Sequence, residues 1–201
     1  MNIILIGPDG SGKTTLSKFL AKTKKMDYVK CTYKEDNKLA RAKKYIQESD
    51  NKIFDRFYYP DHMIYQQVKG EFLTREEICQ WNDLENDLLD NCFVYIYLDA
   101  PINVLVDRVA RERASAEGDK YIDTDELDII KKYYDTFLNS TDIPCLKLYT
   151  DGFVKQSDMN KIDEFIDYTQ QFYHQRAENY LLRWGDFTGE IYTHCSSKRL
   201  I

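Results

Sequence analysis

Short apolar runs and longer amphipathic runs alternate along most of the chain. Residues 92–98, CFVYIYL, are apolar at nearly every position, which is typical of a strand buried on both faces of a parallel sheet. Residues 126–138 instead place apolar side chains three and four positions apart, as one face of a helix does. The alternation of these two patterns predicts βαβ units, and therefore a parallel sheet with helices on both faces.

The same patterns locate the individual elements. Strands are predicted at residues 2–6, 28–31, 52–55, 92–98 and 145–149. Helices are predicted at residues 14–25, 37–48, 74–89, from Pro101 onward, 126–138 and 159–173. The expected fold class is α/β, a three-layer α/β/α arrangement around a parallel sheet of about five strands. The length favours a single domain over residues 1–201, with residues 183–201 as a C-terminal extension that breaks the pattern.

Composition and charge narrow the classes of partner. The 201 residues carry a formal net charge of −6, which argues against nucleic acid and membrane surfaces as general partners. No apolar stretch approaches the roughly 18 residues of a membrane span. The five cysteines are scattered without a CxxC pair, and the three histidines lack ligand spacing. The expectation is a cytoplasmic protein with reduced thiols, no metal cage of protein side chains, and a small-molecule substrate.

The stretch GPDGSGKTT, directly after the first predicted strand, matches the phosphate-loop pattern G-x-x-x-x-G-K-[ST] in full. Glycines let backbone N–H groups turn inward around an anion, and the following helix contributes its positive N-terminus. Lys13 can reach the outer phosphates and Thr14 can bind Mg²⁺. The residues predicted to bind nucleotide are Gly7, Asp9, Gly10, Ser11, Gly12, Lys13, Thr14 and Thr15. The stretch therefore predicts a site for ATP and Mg²⁺.

A second candidate element is the pair Asp55 and Arg56, at the end of the predicted strand 52–55. The carboxyl ends of parallel strands line the ligand crevice, so this pair is expected to face the same site as Lys13. Asp55 could hold Mg²⁺, together with Thr14, or accept a proton. Arg56 offers a planar fork for a phosphate.

A third element follows the helix that begins near Pro101. Arg108, Arg111 and Arg113 are clustered there, and residues 114–119 are small and polar. An arginine-rich segment that is also mobile is typical of a lid that closes over phosphates and stabilises the transferred group. The lid is expected at about residues 112–122, and the three arginines join Lys13, Asp55 and Arg56 as predicted catalytic residues.

These three elements in this order resemble the thymidylate kinase family of P-loop nucleoside monophosphate kinases, in its compact phage and bacterial form. The resemblance covers residues 2–150 and rests on GPDGSGKTT, DRFYY and the segment from YLDAPINVLVDRVARER to DKYID. It implies that Asp9 contacts the 3′-hydroxyl of the acceptor, and that the protein forms a homodimer. The chain between its second strand and Asp55 is shorter than in typical members, and Lys120 stands where a lid arginine is common, so the accepted base is not implied.

The implied reaction is ATP-dependent phosphorylation of a deoxynucleoside 5′-monophosphate, dTMP-like, to the diphosphate. A phosphate acceptor, whose second pKa is about 6, is already a nucleophile at neutral pH. A nucleoside hydroxyl would need a general base, and Asp55 or Glu35 could serve. Two alternatives therefore stay open: a deoxynucleoside kinase, and a module that binds ATP without transferring phosphate.

Overall fold

The computed structural model describes residues 1–32, 37–115, 124–151 and 154–184, and within these it leaves out the side chains of 113–115, 124 and 179–184. The chain divides into two compact units, Met1–Asp158 and Met159–Ile201. The prediction of one domain over the whole chain stays a prediction. The lid segment falls largely on residues 116–123 and the C-terminal extension on 185–201, both outside the described residues.

The described residues form five strands, seven α-helices and one short 3-10 helix, Thr124–Glu126. The strands are β1 (Asn2–Ile6), β2 (Asp27–Lys30), β3 (Lys52–Asp55), β4 (Phe93–Asp99) and β5 (Cys145–Tyr149). The helices are α1 (Lys13–Lys24), α2 (Lys38–Glu48), α3 (Asp61–Val68), α4 (Arg75–Asp90), α5 (Ile102–Ser115), α6 (Leu127–Leu138) and α7 (Gln156–Trp184). The α/β fold with a five-stranded parallel sheet and helices on both faces confirms the predicted fold class.

The five strands are all parallel and lie in the order β2-β3-β1-β4-β5. β1 and β4 are buried along their whole length, as expected of central strands in a sheet covered on both faces. Leu5 of β1 pairs with Asp55 of β3, and Asp99 of β4 pairs with Tyr149 of β5. This register brings the ends of β1, β3, β4 and β5 to one edge of the sheet, beside the loop that joins β1 to α1.

Two helices depart from the sequence prediction. α3 was not predicted, because eight residues are too few for a clear period of apolar positions. A signal was present nonetheless: Pro60 stands immediately before the helix and Asp61 lies in its first turn, both of which favour a helix start. α7 is longer than the predicted 159–173, and it continues through 183 and 184, which were assigned to the extension.

Candidate active site

The loop between β1 and α1 has the backbone that an anion cradle requires. Gly7, Gly10 and Gly12 adopt positive φ angles of 139°, 76° and 94°, a region that favours glycine. At Gly7 there is no room for a side chain either, since a Cβ would lie 2.4 Å from the carbonyl oxygen of Leu98. The loop therefore needs its glycines for conformation and, at Gly7, for close approach to β4.

Lys13 is folded into this loop. Its Nζ donates to the carbonyl oxygens of Gly7 at 2.7 Å and Pro8 at 2.6 Å, and its side chain is only 4% exposed. Burial, together with the nearby charge of Arg56, lowers the pKa of Lys13 to about 8. Thr14 and Thr15 follow in the exposed first turn of α1. The ammonium group of Lys13 is thus bound to the same loop that is predicted to bind a phosphate.

Asp55, at the end of β3, is joined to the phosphate loop. Thr14 donates its hydroxyl to Asp55 Oδ2 at 2.7 Å, and Tyr28 of β2 donates to the same oxygen at 2.9 Å. Asp55 is 1% exposed, and its Oδ1 makes no hydrogen bond within the part of the chain that the structure describes. Burial and the bond to Asp55 raise the pKa of Tyr28 to about 12. Sequence analysis did not identify Tyr28 as a site residue, because nothing in its position shows which strand lies next to β2.

The oxygens of Thr14 and Asp55 suit the magnesium ion that the phosphate-loop motif implies. Hydroxyl and carboxylate oxygens are the ligands that Mg²⁺ takes from proteins, usually one or two with the rest supplied by water and phosphates. The unpaired Oδ1 of buried Asp55 is a polar atom in need of such a partner. Within the described residues, no group of three or more His, Cys, Asp or Glu side chains could hold a metal by itself.

Arg56 is the centre of an ion-pair cluster. Its φ of 69° is in the left-handed region, and its Nη2 pairs with Oδ1 of Asp9 in the phosphate loop. Nη1 donates to the hydroxyl of Tyr65 at 3.3 Å and lies 3.8 Å from Oδ2 of Asp61. Burial acts to raise the pKa of Asp9, but the charges of Arg56 and Lys13 outweigh it and hold that pKa below its ordinary value. Arg56 thus connects β3 to the phosphate loop and to α3.

Asp61 is the carboxylate that sequence analysis missed. It is 2% exposed, and Tyr134 of α6 donates its hydroxyl to Asp61 Oδ1 at 2.7 Å. Burial raises the pKa of Asp61 to about 6, although the charge of Arg56 acts in the opposite direction. Tyr65 and Tyr134 were also missed. Pro60 followed by Asp61 could have indicated a helix directly after the DR motif, but not its contacts.

The raised pKa of Asp61 leads to a prediction about stability. A proton held more tightly in the folded chain stabilises it below about pH 4, and this contribution is lost as the pH rises through 6. A shift from 3.8 to about 6 corresponds to about 3 kcal/mol. We expect the variant Asp61→Asn, which cannot ionise, to become progressively more stable relative to wild type between pH 4 and pH 6, with no further change above.

Urea unfolding of both proteins at a series of pH values measures this difference. The comparison cancels the contributions of titrating groups that do not interact with Asp61. The matched control is Asp83→Asn, the same substitution at an exposed position of α4. A pH-independent difference for Asp61→Asn would contradict the prediction.

The opposite side of the phosphate loop is formed by α5. Arg108 Nη1 donates to the carbonyl oxygen of Gly10 at 3.0 Å. Val109 lies so near Gly10 that a Cβ at Gly10 would be in close contact with its side chain. A surface recess of about 260 Å³ adjoins this contact, and it is lined by Val104, Asp107, Arg108, Arg111 and Asp151. Of the three predicted lid arginines, Arg108 therefore contacts the loop, and Arg111 lines the adjoining recess. Arg113 is in the last turn of α5, and its side chain is outside the described residues.

Arg56 also lines a second hollow, whose wall is partly aromatic and partly polar. A small cavity of about 10 Å³, room for a single water molecule, lies there. Its lining residues are Cys31, Thr32, Lys38, Arg56, Phe57, Tyr58 and His62. Burial lowers the pKa of His62 to about 4, so its imidazole is neutral near pH 7. This wall differs in character from the arginine-lined recess beside α5.

A parallel sheet with a phosphate loop after its first strand, and an Asp–Arg pair at the end of a neighbouring strand, define a P-loop kinase. The family comparison gives the group: the model "Deoxynucleoside kinase" matches residues 27–174, and the chain belongs to the deoxynucleoside kinase family. The protein is therefore a phosphotransferase of the nucleoside and nucleotide kinases. The predicted kinase class is confirmed, whereas the narrower assignment to thymidylate kinases stays a prediction.

Solved structures show the same fold. YorR from Bacillus subtilis, solved with phosphorylated GDP, is 24% identical with a TM-score of 0.64, and the match covers 86% of this chain and 98% of YorR. Deoxyadenosine kinase from M. mycoides with bound dATP is 21% identical with a TM-score of 0.59, over 81% of this chain and 100% of that kinase. No curated protein matches the chain. None of the helices in the described residues is long and apolar enough to cross a membrane.

Proposed function

We propose that this protein transfers the γ-phosphoryl group of ATP to the 5′-hydroxyl of a deoxynucleoside. The observation that carries the choice of acceptor is the pairing of Arg56, the cation at the end of β3, with two carboxylates, Asp9 and Asp61. An acceptor phosphate with nearly two negative charges would have to displace them, at a cost in electrostatic free energy. A neutral nucleoside hydroxyl needs no such exchange. Membership of the deoxynucleoside kinase family supports the same acceptor.

The site has a separate place for each substrate. The donor side is the phosphate loop with Lys13 and the adjoining recess, in which Arg108 and Arg111 stand beside the carboxylates of Asp107 and Asp151. We place the acceptor beside Phe57, Tyr58 and neutral His62, which could pack on a flat base. Lys38 and Arg56 line the same cavity, which has room for one water molecule and would have to widen to bind a nucleoside. Between the two sides stand Asp55 and Arg56, so the reacting groups would meet at the end of β3.

In the proposed reaction, the 5′-hydroxyl oxygen forms a bond to the γ-phosphorus, and the bond from that phosphorus to the ADP oxygen breaks. The hydroxyl proton passes to a carboxylate, and the products are ADP and a nucleoside 5′-monophosphate. Magnesium bound by Thr14 and Asp55 would neutralise the charge of the phosphates. Because Asp55 would serve that ion and accepts two hydrogen bonds, the remaining candidate for the general base is Glu35, which lies outside the described residues.

The protein's own contributions are positioning and charge. Lys13 and the N–H groups of the loop hold the transferred group, and Arg56 keeps the carboxylates of Asp9 and Asp61 in place next to it. Arg108 and Arg111, with Arg113, would meet the charge that develops on the phosphoryl oxygens.

A deoxynucleoside 5′-monophosphate is the second candidate acceptor. The observation in its favour is the length of the bond from Arg56 Nη1 to Tyr65, 3.3 Å, with Asp61 still further away. A donor held so loosely could be redirected to a phosphate. The raised pKa of Asp61 acts in the same direction, since a protonated Asp61 would no longer neutralise Arg56.

A panel of acceptors tests the proposal. The four deoxynucleosides and the four 5′-monophosphates are each offered with ATP and Mg²⁺, and ADP release is measured. We expect turnover with at least one deoxynucleoside, at a kcat/KM at least about tenfold above that of the matching monophosphate, a difference of about 1.4 kcal/mol. The product should be a 5′-monophosphate, identified by phosphorus NMR.

One control and two possible outcomes separate the alternatives. The Lys13→Ala protein, purified in the same way, measures any contaminating kinase. Turnover with monophosphates alone would overturn the proposed acceptor and favour the second candidate. ATP binding without ADP release for any acceptor would favour the non-catalytic alternative.

A further inference from the structure

Thr150, the residue after β5, touches the phosphate loop across 139 positions of sequence. It is 7% exposed. Its backbone N–H donates to the carbonyl oxygen of Asp99 at 2.7 Å, which extends the β4–β5 pairing by one step. Its hydroxyl oxygen lies 3.1 Å from that oxygen and 3.1 Å from the carbonyl oxygen of Ser11. The single hydroxyl hydrogen can be donated to either oxygen, and donation to Ser11 gives each carbonyl one donor, because Asp99 already accepts the backbone N–H.

The carbonyl of Ser11 belongs to the peptide unit that also carries the N–H of Gly12. In a planar trans peptide the C=O and N–H bonds point in opposite directions, so holding one sets the direction of the other. Gly12 has a φ of 94°, and glycine tolerates several orientations of such a peptide at little cost. A hydrogen bond that holds the Ser11 carbonyl outward therefore directs the Gly12 N–H to the opposite side, towards the anion cradle.

Asp99, which accepts the backbone bond of Thr150, is itself held in place by ion pairs. The Asp99 carboxylate accepts from the N–H of Ala100 at 2.8 Å and from Lys131 of α6 at 2.7 Å, and Lys147 of β5 lies 3.4 Å away. Asp99 is buried, so these partly buried ion pairs hold the end of β4 more firmly than surface pairs would. The hydroxyl of Thr150 therefore connects the phosphate loop to a rigid part of the sheet.

We propose that Thr150 is a positioning residue that holds the phosphate loop in its anion-binding conformation, through the Ser11–Gly12 peptide. It contacts neither the acceptor side nor Arg56, so the proposal concerns the donor alone and does not depend on which acceptor is phosphorylated. Without the hydroxyl, the Ser11–Gly12 peptide unit is free to rotate. The cost of ordering it then makes the free energy of ATP binding less favourable.

Three variants test this role. Thr150→Val keeps the shape and removes the hydroxyl, whereas Thr150→Ser and Thr150→Ala both lose the methyl group and differ from each other only in the hydroxyl. We expect Thr150→Val and Thr150→Ala to raise the Kd of ATP-Mg about five- to tenfold, the effect of one hydrogen bond. Thr150→Ser should bind within about twofold of wild type, and the KM of the acceptor should change in none of them.

Calorimetric titration of the full-length protein with ATP-Mg measures these affinities without any turnover, so the result stands even if the proposed acceptor is wrong. The amide resonance of Gly12, followed by NMR, should move in Thr150→Val and Thr150→Ala but not in Thr150→Ser. Equal ATP affinity for Thr150→Ser and Thr150→Ala would overturn the proposal, including the case in which both are less stable than wild type. Should Thr150→Val fail to fold, the comparison of serine with alanine remains.

Discussion

Replacement of Lys13 by alanine is expected to abolish phosphoryl transfer while leaving the fold intact. The ammonium group lies within the phosphate loop, on the carbonyl oxygens of Gly7 and Pro8, where it can reach the outer phosphates of ATP. Its loss removes a charge from the position where charge develops in transfer, and we expect kcat/KM to fall by at least about a thousandfold. Burial lowers the pKa of Lys13 to about 8, which means that its charge costs free energy in the folded chain. The variant should therefore fold.

ADP release with the best acceptor measures the loss, and urea unfolding measures the stability. Lys22→Ala is the matched control, because Lys22 lies on the same helix, carries the same charge and is exposed. Its activity should stay within about twofold of wild type, as is usual for surface substitutions. A Lys13→Ala protein that is folded and retains more than a tenth of wild-type activity would contradict the assignment of the loop as the donor site.

The second large effect is expected for Arg56→Lys. Lysine keeps the positive charge but lacks the planar fork with which Arg56 reaches Asp9, Tyr65 and Asp61 at once. The ion pair with one of the two carboxylates would be lost, and the bond from Thr14 to Asp55 would remain as the side-chain contact between the end of β3 and the phosphate-loop motif. We expect kcat to fall about 100- to 1,000-fold, the range for loss of one preorganised donor at a reacting group.

The same variant distinguishes the two acceptors. With a deoxynucleoside, Arg56 acts by positioning, so kcat should fall and the acceptor KM should change little. With a monophosphate, Arg56 would bind the acceptor directly, and its KM should rise steeply. Steady-state kinetics on both acceptor classes measures the split. The matched control is Arg75→Lys, at the exposed start of α4, and it should leave both parameters unchanged. An unchanged kcat in Arg56→Lys would remove Arg56 from the site.

Much of the fold could be predicted because the burial of an element determines the pattern of apolar residues in its sequence. β4 is apolar at almost every position, since both its faces are covered, and α6 shows its buried stripe at Leu127, Ile130 and Tyr134. α3 is too short to show a clear period of apolar positions, although it carries Asp61 and Tyr65 into the site. The order of the strands does not show in the sequence pattern, because a strand with two buried faces is compatible with several neighbours.

The candidate site, too, could be predicted in part. The phosphate loop could be identified because the requirement for glycines, a lysine and a hydroxyl lies within eight consecutive positions, Gly7 to Thr14. Asp55 and Arg56 could be placed near it, because strand ends in a parallel sheet share an edge. Their partners could not be predicted: Tyr28 on Asp55 and Asp9 on Arg56 are contacts between separate elements.

By itself, the sequence determined the α/β fold class, the position of the phosphate-loop motif and the edge of the sheet where Asp55 and Arg56 lie, because each depends on residues close together in the chain. The tertiary structure alone decided that Arg56 is neutralised by Asp9 and Asp61, that Tyr134 reaches Asp61, and that Thr150 holds Ser11. The physical reason is that hydrophobic periodicity specifies which face of an element is buried, whereas hydrogen bonds and ion pairs depend on which other element is packed against that face.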